Sequence, residues 1–487
     1  MTPAPGAILG AMTATDELRK VHISTLGCAR NDVDSEELAG RLEAGGFVLV
    51  DDPEQAETVV VNTCGFVEQA KKDSIDTLLA AAELKDGGAT RAVVAVGCMA
   101  ERYGVELAKE LPEADAVLGF DDYADIADKL RLILDGHAPA PHVPRDRRKL
   151  LPMAPADRSA AARGVAVPGH APLPEGLAPA TGPRTLRRRV SSGPSAPLKI
   201  ASGCDRRCSF CAIPAFRGSY LSRPMADIVQ EARWLVGEGV REVFLVSENT
   251  SSYGKDLGPD ERLEELLGHL STVDGLDWIR VSYLQPAEIR PSMLEAMLHT
   301  PKVVPYFDLS FQHASRSVLR SMRRFGDPDS FLDLISRIRT VAPEAGIRSN
   351  VIAGFPGETD ADVETLRQFI IDANLDVLGV FGYSDEDGTE GERLPGHLST
   401  SEVEARRALL ADVALAVNES RAAERVGQSA TVLVEGTDDG VVGRAPHQGP
   451  ETDGVVVLEG SAAVAVGDFV EVEFVDSEGI DLIGVLR

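Results

Sequence analysis

The sequence is short of several things that would settle its class at once. No run approaches the ~20 consecutive apolar residues that a membrane helix needs, although 44% of the 487 residues are hydrophobic, enough for packed cores. The N-terminus shows no basic stretch followed by an apolar run, the pattern of a secretory leader. These absences predict a cytoplasmic protein with no membrane partner, in a compartment that keeps thiols reduced. Cysteine is scarce, six residues in all. That excludes a disulfide-stapled scaffold and leaves metal ligands, catalytic groups or buried core residues. Positive charge is short too: 49 Lys and Arg against 77 Asp and Glu leave a net charge of −28. Such a surface repels bare phosphate backbones at long range and attracts basic partners.

What is present is a long alternation. Residues 1–18 read as a disordered tail. From Val21 onward "VHISTLGC", "TVVVNTC" and "RAVVAVGC" are apolar strands, and "ADAVLGF" is a shorter fourth. The amphipathic "DVDSEELAGRLEAGGF" predicts a helix with Asp34 or Ser35 near its start, and "VEQAKKDSIDTLLAAAEL" predicts a second. A further helix is expected around 123–134. Strand–helix alternation makes 19–135 an N-terminal parallel β/α domain, its sheet covered on both faces. Residues 136–195 break the pattern. They hold 11 of the 29 prolines, and ten Lys or Arg against three Asp or Glu. A flexible, basic, Pro-rich linker is expected there. It is either a solvated tether or, through "RTLRRRV", a contact for acidic surface or RNA. Residues 196–424 alternate again, with strands at "LKIASG", "EVFLVS", "WIRVSYL", "YFDLSF", "IRSNVIAG" and "LDVLGVFGYS" and a closing helix near 401–425. Six β/α units predict a partial (β/α)6 barrel. Residues 425–487 change to short alternating runs with Gly and Asp at the turns, a small all-β barrel of OB-like size. The fold class is α/β with this β-barrel appended.

Cys204, Cys208 and Cys211 fall within eight residues, just past the C-terminal end of the strand "LKIASG". Parallel β/α folds place their chemistry at such ends. Structural zinc takes four ligands and a disulfide takes two. Three thiolates in a tight loop suit one face of a [4Fe–4S] cluster, which normally takes four cysteines. One iron then stays open for a small-molecule cosubstrate. A zinc knuckle that borrows a distant ligand is the alternative. Cys28, Cys64 and Cys98 each close an apolar strand. Strand tips on one edge of a parallel sheet lie together, so these three are expected to form a second three-thiolate site. Three buried core thiols are the plainer reading.

The spacing C-x3-C-x2-C, with Phe210 before the last cysteine, resembles the signature of the radical SAM superfamily. One distributed and one compact cysteine trio ahead of a small β-barrel resemble, more narrowly, the methylthiotransferase family. The likeness runs through "STLGCARNDVDSE", "NTCGFV", "VGCMAERY", "SGCDRRCSFCAIPAFRGSYLSRP", "SFQHASRSVLRSMRR", "IAGFPGETD" and "GYSDEDGT". It implies two [4Fe–4S] clusters. The one on Cys28, Cys64 and Cys98 would carry or donate the added sulfur. The one on Cys204, Cys208 and Cys211 would cleave S-adenosylmethionine (SAM) to a radical that takes hydrogen from an unactivated carbon. One SAM supplies the methyl group and another the radical. The C-terminal barrel resembles the family's TRAM domain, which holds the substrate.

The family methylthiolates either a tRNA adenosine, at C2, or an aspartate of a ribosomal protein. Within 425–487 stand three Arg and twelve Asp or Glu. A barrel that grips tRNA should be basic, whereas an acidic one suits a basic protein. The stretches "SENTSSYGKDLG" and "GRAPHQGPETDG" also resemble the ribosomal-protein branch. The expected reaction is methylthio transfer to the β-carbon of an aspartate in small-subunit ribosomal protein S-twelve, on or near the small subunit. The expected enzyme is a monomer fed by an electron donor such as flavodoxin or ferredoxin. Two competitors stand: a tRNA enzyme that uses the basic linker and, from another class, an iron–sulfur electron carrier. By resemblance, SAM contacts are expected at Phe210, Ser247, Glu248 and Gly354. Their plainer readings are a core aromatic, a capping loop and a tight strand-to-helix turn. Gln312 and His313 follow the fourth barrel strand, and His313 either lines the substrate channel or is structural. Arg323 and Arg324 either meet a substrate or SAM carboxylate or are surface charge. No residue is assigned a proton-transfer role, because radical abstraction needs none.

Overall fold

The computed structural model describes residues 19–162, 165–168, 187–258, 260–438, 440–450, 452–460 and 464–487. The expected tail 1–18 lies outside them. The chain starts with strands β1 (Lys20–Thr25), β2 (Val48–Leu49), β3 (Thr58–Thr63), β4 (Ala92–Val96) and β5 (Ala116–Val117). They form one parallel sheet in the order β2-β1-β3-β4-β5. Strands β3 and β4 are buried along their whole length, as their unbroken apolar runs require when both faces are covered. Val60, Val94 and Val96 face one apolar layer with Leu38 and Leu42 of α1 (Ala29–Ala44). Val59, Val61, Val93 and Ala95 face the other, with Leu78 of α2 (Glu68–Glu83) and Met99 of α3 (Gly97–Glu110). Helix α1 begins earlier than its polar residues suggest. Asp34 and Ser35 are therefore not near its start; they lie on its buried face.

The second unit carries β6 (Ser195–Lys199), a short antiparallel hairpin of β7 (Ala201–Ser202) and β8 (Leu221–Ser222), then β9 (Glu242–Val246), β10 (Trp278–Val281), β11 (Tyr306–Asp308), β12 (Gly346–Ala353) and β13 (Val377–Gly382). Parallel pairing gives β6-β9-β10 and β11-β12-β13. The parallel bridges Ile279↔Val303 and Leu284↔Leu309 join the two halves. This is the six-stranded partial barrel. Its outward side chains, among them Leu198, Leu245, Ile279, Phe307 and Val351, form one large core with the surrounding helices.

A five-stranded closed barrel ends the chain: β14 (Ser429–Gly436), β15 (Val441–Arg444), β16 (Val456–Glu459), β17 (Phe469–Glu478) and β18 (Asp481–Leu486). It seals the end of the partial barrel where the strands begin. Glu242, first residue of β9, accepts from Arg280 Nε at 2.7 Å and from Arg444 Nη2 at 2.5 Å. Tyr306, first residue of β11, donates to Asp453 Oδ2 at 2.5 Å, and Arg280 Nη1 donates to the carbonyl of Pro446 at 2.7 Å. Residues 443–449, the first part of the stretch "GRAPHQGPETDG", thus plug the gap between two units, with Arg444, His447 and Gln448 enclosed, as is Asp453.

The described parts of the Pro-rich stretch are mostly exposed but pinned at a few arginines. Arg147, Arg158, Arg187 and Arg189 are buried. Arg147 reaches Glu101 at 3.0 Å, Arg158 reaches Asp205 at 2.6 Å, and Arg187 reaches Glu231 at 2.6 Å and also pairs with Glu36. Arg147, Arg158 and Arg187 thus answer carboxylates of the same chain, which composition could not reveal. Residues 169–186 of this stretch lie outside the described residues.

Candidate active site

Each cysteine of the first trio sits at or just past the end of a strand, and two of them, Cys28 and Cys98, at the start of a helix. Cys28 is the residue before α1, Cys64 follows β3, and Cys98 lies in the first turn of α3. Unpaired N–H groups and aligned peptide dipoles put positive potential at helix starts, which favours thiolate. Parallel pairing of β1, β3 and β4 sets the three ends side by side. The approach is close enough that a Cβ on Gly27 (φ +102°) would lie 3.0 Å from both Cβ and Sγ of Cys64. Only glycine takes that backbone conformation without cost.

Two arginines complete this trio, one from each unit. Arg30 Nε donates to Cys28 Sγ at 3.4 Å, and its Nη1 donates to the carbonyl of Ser247, past the end of β9, at 3.1 Å. Arg217 belongs to the short helix Ile213–Arg217 that follows Cys211. Its Nη2 donates to Cys98 Sγ at 3.0 Å and to Asn31 Oδ1 at 2.8 Å, and its Nη1 donates to Asp34 Oδ2 at 2.7 Å. Glu248 lies between them, 3.9 Å from Arg30 Nε and 4.0 Å from Arg217 Nε. Its Oε2 is buried with no hydrogen-bond partner. Burial pushes the Cys98 thiol up to about 11 and raises Cys64 as well. Burial also opposes ionisation of Cys28, but Arg30 and Arg217 outweigh it and hold that thiol below its ordinary value.

The second trio lies in the loop of the β7–β8 hairpin. Cys204 N–H donates to the Gly218 carbonyl at 3.0 Å, and Cys211 N–H to the Cys208 carbonyl at 3.2 Å. Gly203 (φ +79°) lets the arms close, since a Cβ there would stand 2.4 Å from the Ser219 carbonyl oxygen. Arg324 Nη1 points at Cys208 Sγ, 3.7 Å away, and its Nη2 donates to the Ser310 carbonyl. Burial pushes Cys204 and Cys211 up, the latter to about 12. Among the described residues no three His, Cys, Asp or Glu side chains are arranged around a single ion. Each trio instead offers three soft donors as supports for a larger group, and thiolates are the ligands that iron–sulfur clusters take.

The remaining expected residues divide. Phe210 is half-buried and packs with Val318, Met322, Phe355, Tyr383 and Leu394. Ser247 Oγ pairs with Thr250 Oγ1 at 3.1 Å and accepts from Asn249 N–H at 3.2 Å, a loop-capping role. Gly354 (φ +78°) is where the chain turns beneath a helix: a Cβ would stand 2.8 Å from Val403 Cγ2. His313 is fully buried and satisfied, 3.2 Å from Glu358 Oε2 by Nε2, with Nδ1 accepting from Ser315 N–H at 2.9 Å. Gln312 adds backbone rungs to β12. Arg323 is exposed and pairs with Glu390 at 2.7 Å, whereas Arg324 is no mere surface charge. Arg30, Arg217 and Asp34 received no role from the sequence. Arg30 and Arg217 were readable only as neighbours of cysteines, in "GCARND" and "CAIPAFRG".

Comparison with known proteins covers nearly all of the chain. Residues 20–119 match the Uncharacterized protein family UPF0004, residues 198–370 the Radical SAM superfamily, and residues 426–486 the TRAM domain. The ribosomal protein uS12 methylthiotransferase RimO of Cutibacterium acnes is 66% identical over 97% of this chain and 99% of its own length. That of Streptomyces coelicolor is 60% identical over 96% of each. Among solved structures, the radical S-adenosylmethionine methyltransferase TsrM of Kitasatospora setae, with cobalamin and a [4Fe–4S] cluster bound, covers 77% of each chain at 16% identity and a TM-score of 0.53, a likeness of fold. With Arg217 of the radical SAM unit donating to Cys98 of the N-terminal unit, and relatives matched over 96–97% of this chain, the chain belongs to the radical SAM methylthiotransferase family, in the branch whose members are called RimO.

Proposed function

We propose that the protein is a radical SAM enzyme that adds a methylthio group to the β-carbon of an aspartate in ribosomal protein uS12. Cys204, Cys208 and Cys211 would hold one [4Fe–4S] cluster, and Cys28, Cys64 and Cys98 a second. When bound, the clusters and SAM supply radical hydrogen abstraction, the sulfur and the methyl group. The chain's own residues do the rest. Arg324 backs Cys208, while Arg30 and Arg217 back Cys28 and Cys98. Glu248 offers an unpartnered carboxylate oxygen at the mouth, suited to the cationic amino group of SAM. The packing of Phe210 with Phe355 and Tyr383 keeps water from one side of the compact trio.

Substrate capture is assigned to charge. Every arginine of the C-terminal barrel is answered internally: Arg425 by Asp376, Arg444 by Glu242 and Glu435, Arg487 by Glu473. Asp438, Glu459, Asp468, Glu471, Asp476 and Glu478 remain exposed. A surface of one sign steers a basic protein and repels RNA. Among the described residues no helix is long and apolar enough to cross a membrane, and the reading places a monomer in the cytoplasm, reduced by flavodoxin or ferredoxin.

The observation that carries this reading is that the unit bearing the compact trio reaches the distributed one: Arg217, six residues after Cys211, donates to Cys98, and Arg30, which donates to Cys28, also donates to the Ser247 carbonyl at the end of β9. A sulfur-bearing site and a radical-forming site can serve one carbon only if they share a cavity. The test is mass spectrometry of uS12 from a deletion strain and from the strain with the gene restored. Restoration should add the mass of one methylthio group to a single aspartate. Unchanged uS12 with altered tRNA nucleosides would transfer the activity to RNA. Failure of the reconstituted protein to release 5′-deoxyadenosine from SAM would leave an electron carrier.

A further inference from the structure

Arg217 reaches from one unit into the core of another. It follows the compact trio in sequence, yet its guanidinium is buried in the N-terminal unit. Its neighbours Ala212 and Phe216 join that unit's core, beside Phe120 and Cys98, and its own guanidinium lies over the Phe120 ring, 5.1 Å from the centroid. One nitrogen, Nη2, reaches both Cys98 Sγ at 3.0 Å and Asn31 Oδ1 at 2.8 Å. The other, Nη1, is held by Asp34 at 2.7 Å, and Asp34 is itself held by Lys199 Nζ at 2.6 Å. Asn31 is fixed in turn, donating Nδ2 to the Leu26 carbonyl at 2.8 Å, and lies 3.5 Å from Cys98 Sγ. The guanidinium therefore has one orientation, set on both flanks, and it aims a charged hydrogen bond at a single sulfur.

We infer that Arg217 is a positioning residue through which the radical SAM unit sets the reduction potential of the iron–sulfur site on Cys28, Cys64 and Cys98. The inference rests on the reading that this trio holds a cluster. Net charge and hydrogen bonds to ligand sulfurs are the levers that tune such potentials. A positive donor on Cys98 stabilises the reduced, more negative state. Asp34 touches no thiol of the trio, yet it partly neutralises that donor. The two residues should thus move the potential in opposite directions, which loss of packing alone would not do. Arg30 acts on the same trio from its own unit, so the site is built from both sides of the boundary and is incomplete in the N-terminal unit alone.

The test uses the full chain with Cys204, Cys208 and Cys211 changed to Ala, so that only the distributed trio is loaded. After anaerobic reconstitution with iron and sulfide, iron per chain is counted. The one-electron reduction of the cluster by dithionite is then followed in a mediated titration by electron paramagnetic resonance. The parent should hold about four irons. Arg217→Met should lower its potential, Arg217→Lys should recover part of the loss, and Asp34→Asn should raise it. An unchanged potential in Arg217→Met at equal iron content, or a fall in Asp34→Asn, overturns the inference. Should Arg217→Met hold no iron, Asp34→Asn decides: a rise supports the inference and no rise overturns it. A parent without iron at this trio removes the two-cluster reading itself, and the inference with it.

Discussion

The two ends of the partial barrel are built from the same materials and put to opposite uses. At the end where strands begin, buried arginines meet buried carboxylates: Arg280 and Arg444 on Glu242, Arg425 on Asp376. At the end where strands finish, arginines meet thiols: half-buried Arg30 on Cys28, buried Arg217 on Cys98, half-buried Arg324 on Cys208. A carboxylate is already ionised and closes the account of charge, so the first end only holds two units together. Burial pushes the Cys98 thiol up to about 11, so its pair with Arg217 is not closed by ionisation in the same way, whereas Arg30 and Arg217 hold Cys28 below its ordinary value. One end joins two units, and the other carries the thiols of the candidate site.

The largest effects should separate the two ends completely. Replacing Cys204, Cys208 and Cys211 with Ala should abolish both 5′-deoxyadenosine formation and methylthio transfer. Replacing Cys28, Cys64 and Cys98 should abolish transfer yet leave SAM cleavage, with iron falling from about eight to about four per chain. Product analysis and iron assay check both, and a thermal midpoint near that of the unreconstituted parent should accompany each change.

Glu242→Gln addresses the opposite end. It leaves Arg280 and Arg444 buried against a neutral group and should cost roughly 3–5 kcal/mol of stability, read as a lower urea midpoint. SAM cleavage by the molecules still folded should persist. Acid should act on the same carboxylate. Burial would raise Glu242, but Arg280 and Arg444 hold it down to about 2, whereas in the unfolded chain it titrates near ~4.3. Its contribution is thus fully present above about pH 4.3 and is lost as pH falls towards 2. That loss is roughly 3 kcal/mol, and it should vanish in Glu242→Gln when urea midpoints are compared across that range.

The smallest expected effect lies on the reactive side. Glu386, in the loop after β13, accepts from Lys71 at 3.1 Å and Arg102 at 2.5 Å, and Arg102 also donates to the Gly65 carbonyl beside Cys64. Glu386→Gln should cost about 1–2 kcal/mol and hasten proteolytic cleavage in 382–397. An effect as large as that of Glu242→Gln would blur the contrast between the ends.

The alternation of apolar strands and amphipathic helices determined the parallel sheet, the six barrel strands and the small closing barrel, because strand period and burial on two faces are local properties of a chain. The cysteine spacing likewise determined the compact trio, since a loop of eight residues has little choice of what it encircles. The distributed trio was legible once parallel strand tips were assumed to lie together. Sequence could not decide the partners of charge. "RTLRRRV" read as a basic linker, yet Arg187 is buried against Glu36 and Glu231. "GRAPHQGPETDG" marked a branch of the family, yet its Pro446 and Asp453 meet Arg280 and Tyr306 at the barrel floor. Asp34 read as a residue near a helix start, yet it anchors Arg217 from across a unit boundary. All of these pairs but Arg187–Glu231 join residues more than a hundred positions apart, and nothing in local periodicity records which cation a buried carboxylate or thiol will meet. Only the packing of three units against one another chose them, because an unpaired charge in that interior costs more than the units gain by meeting in any other way.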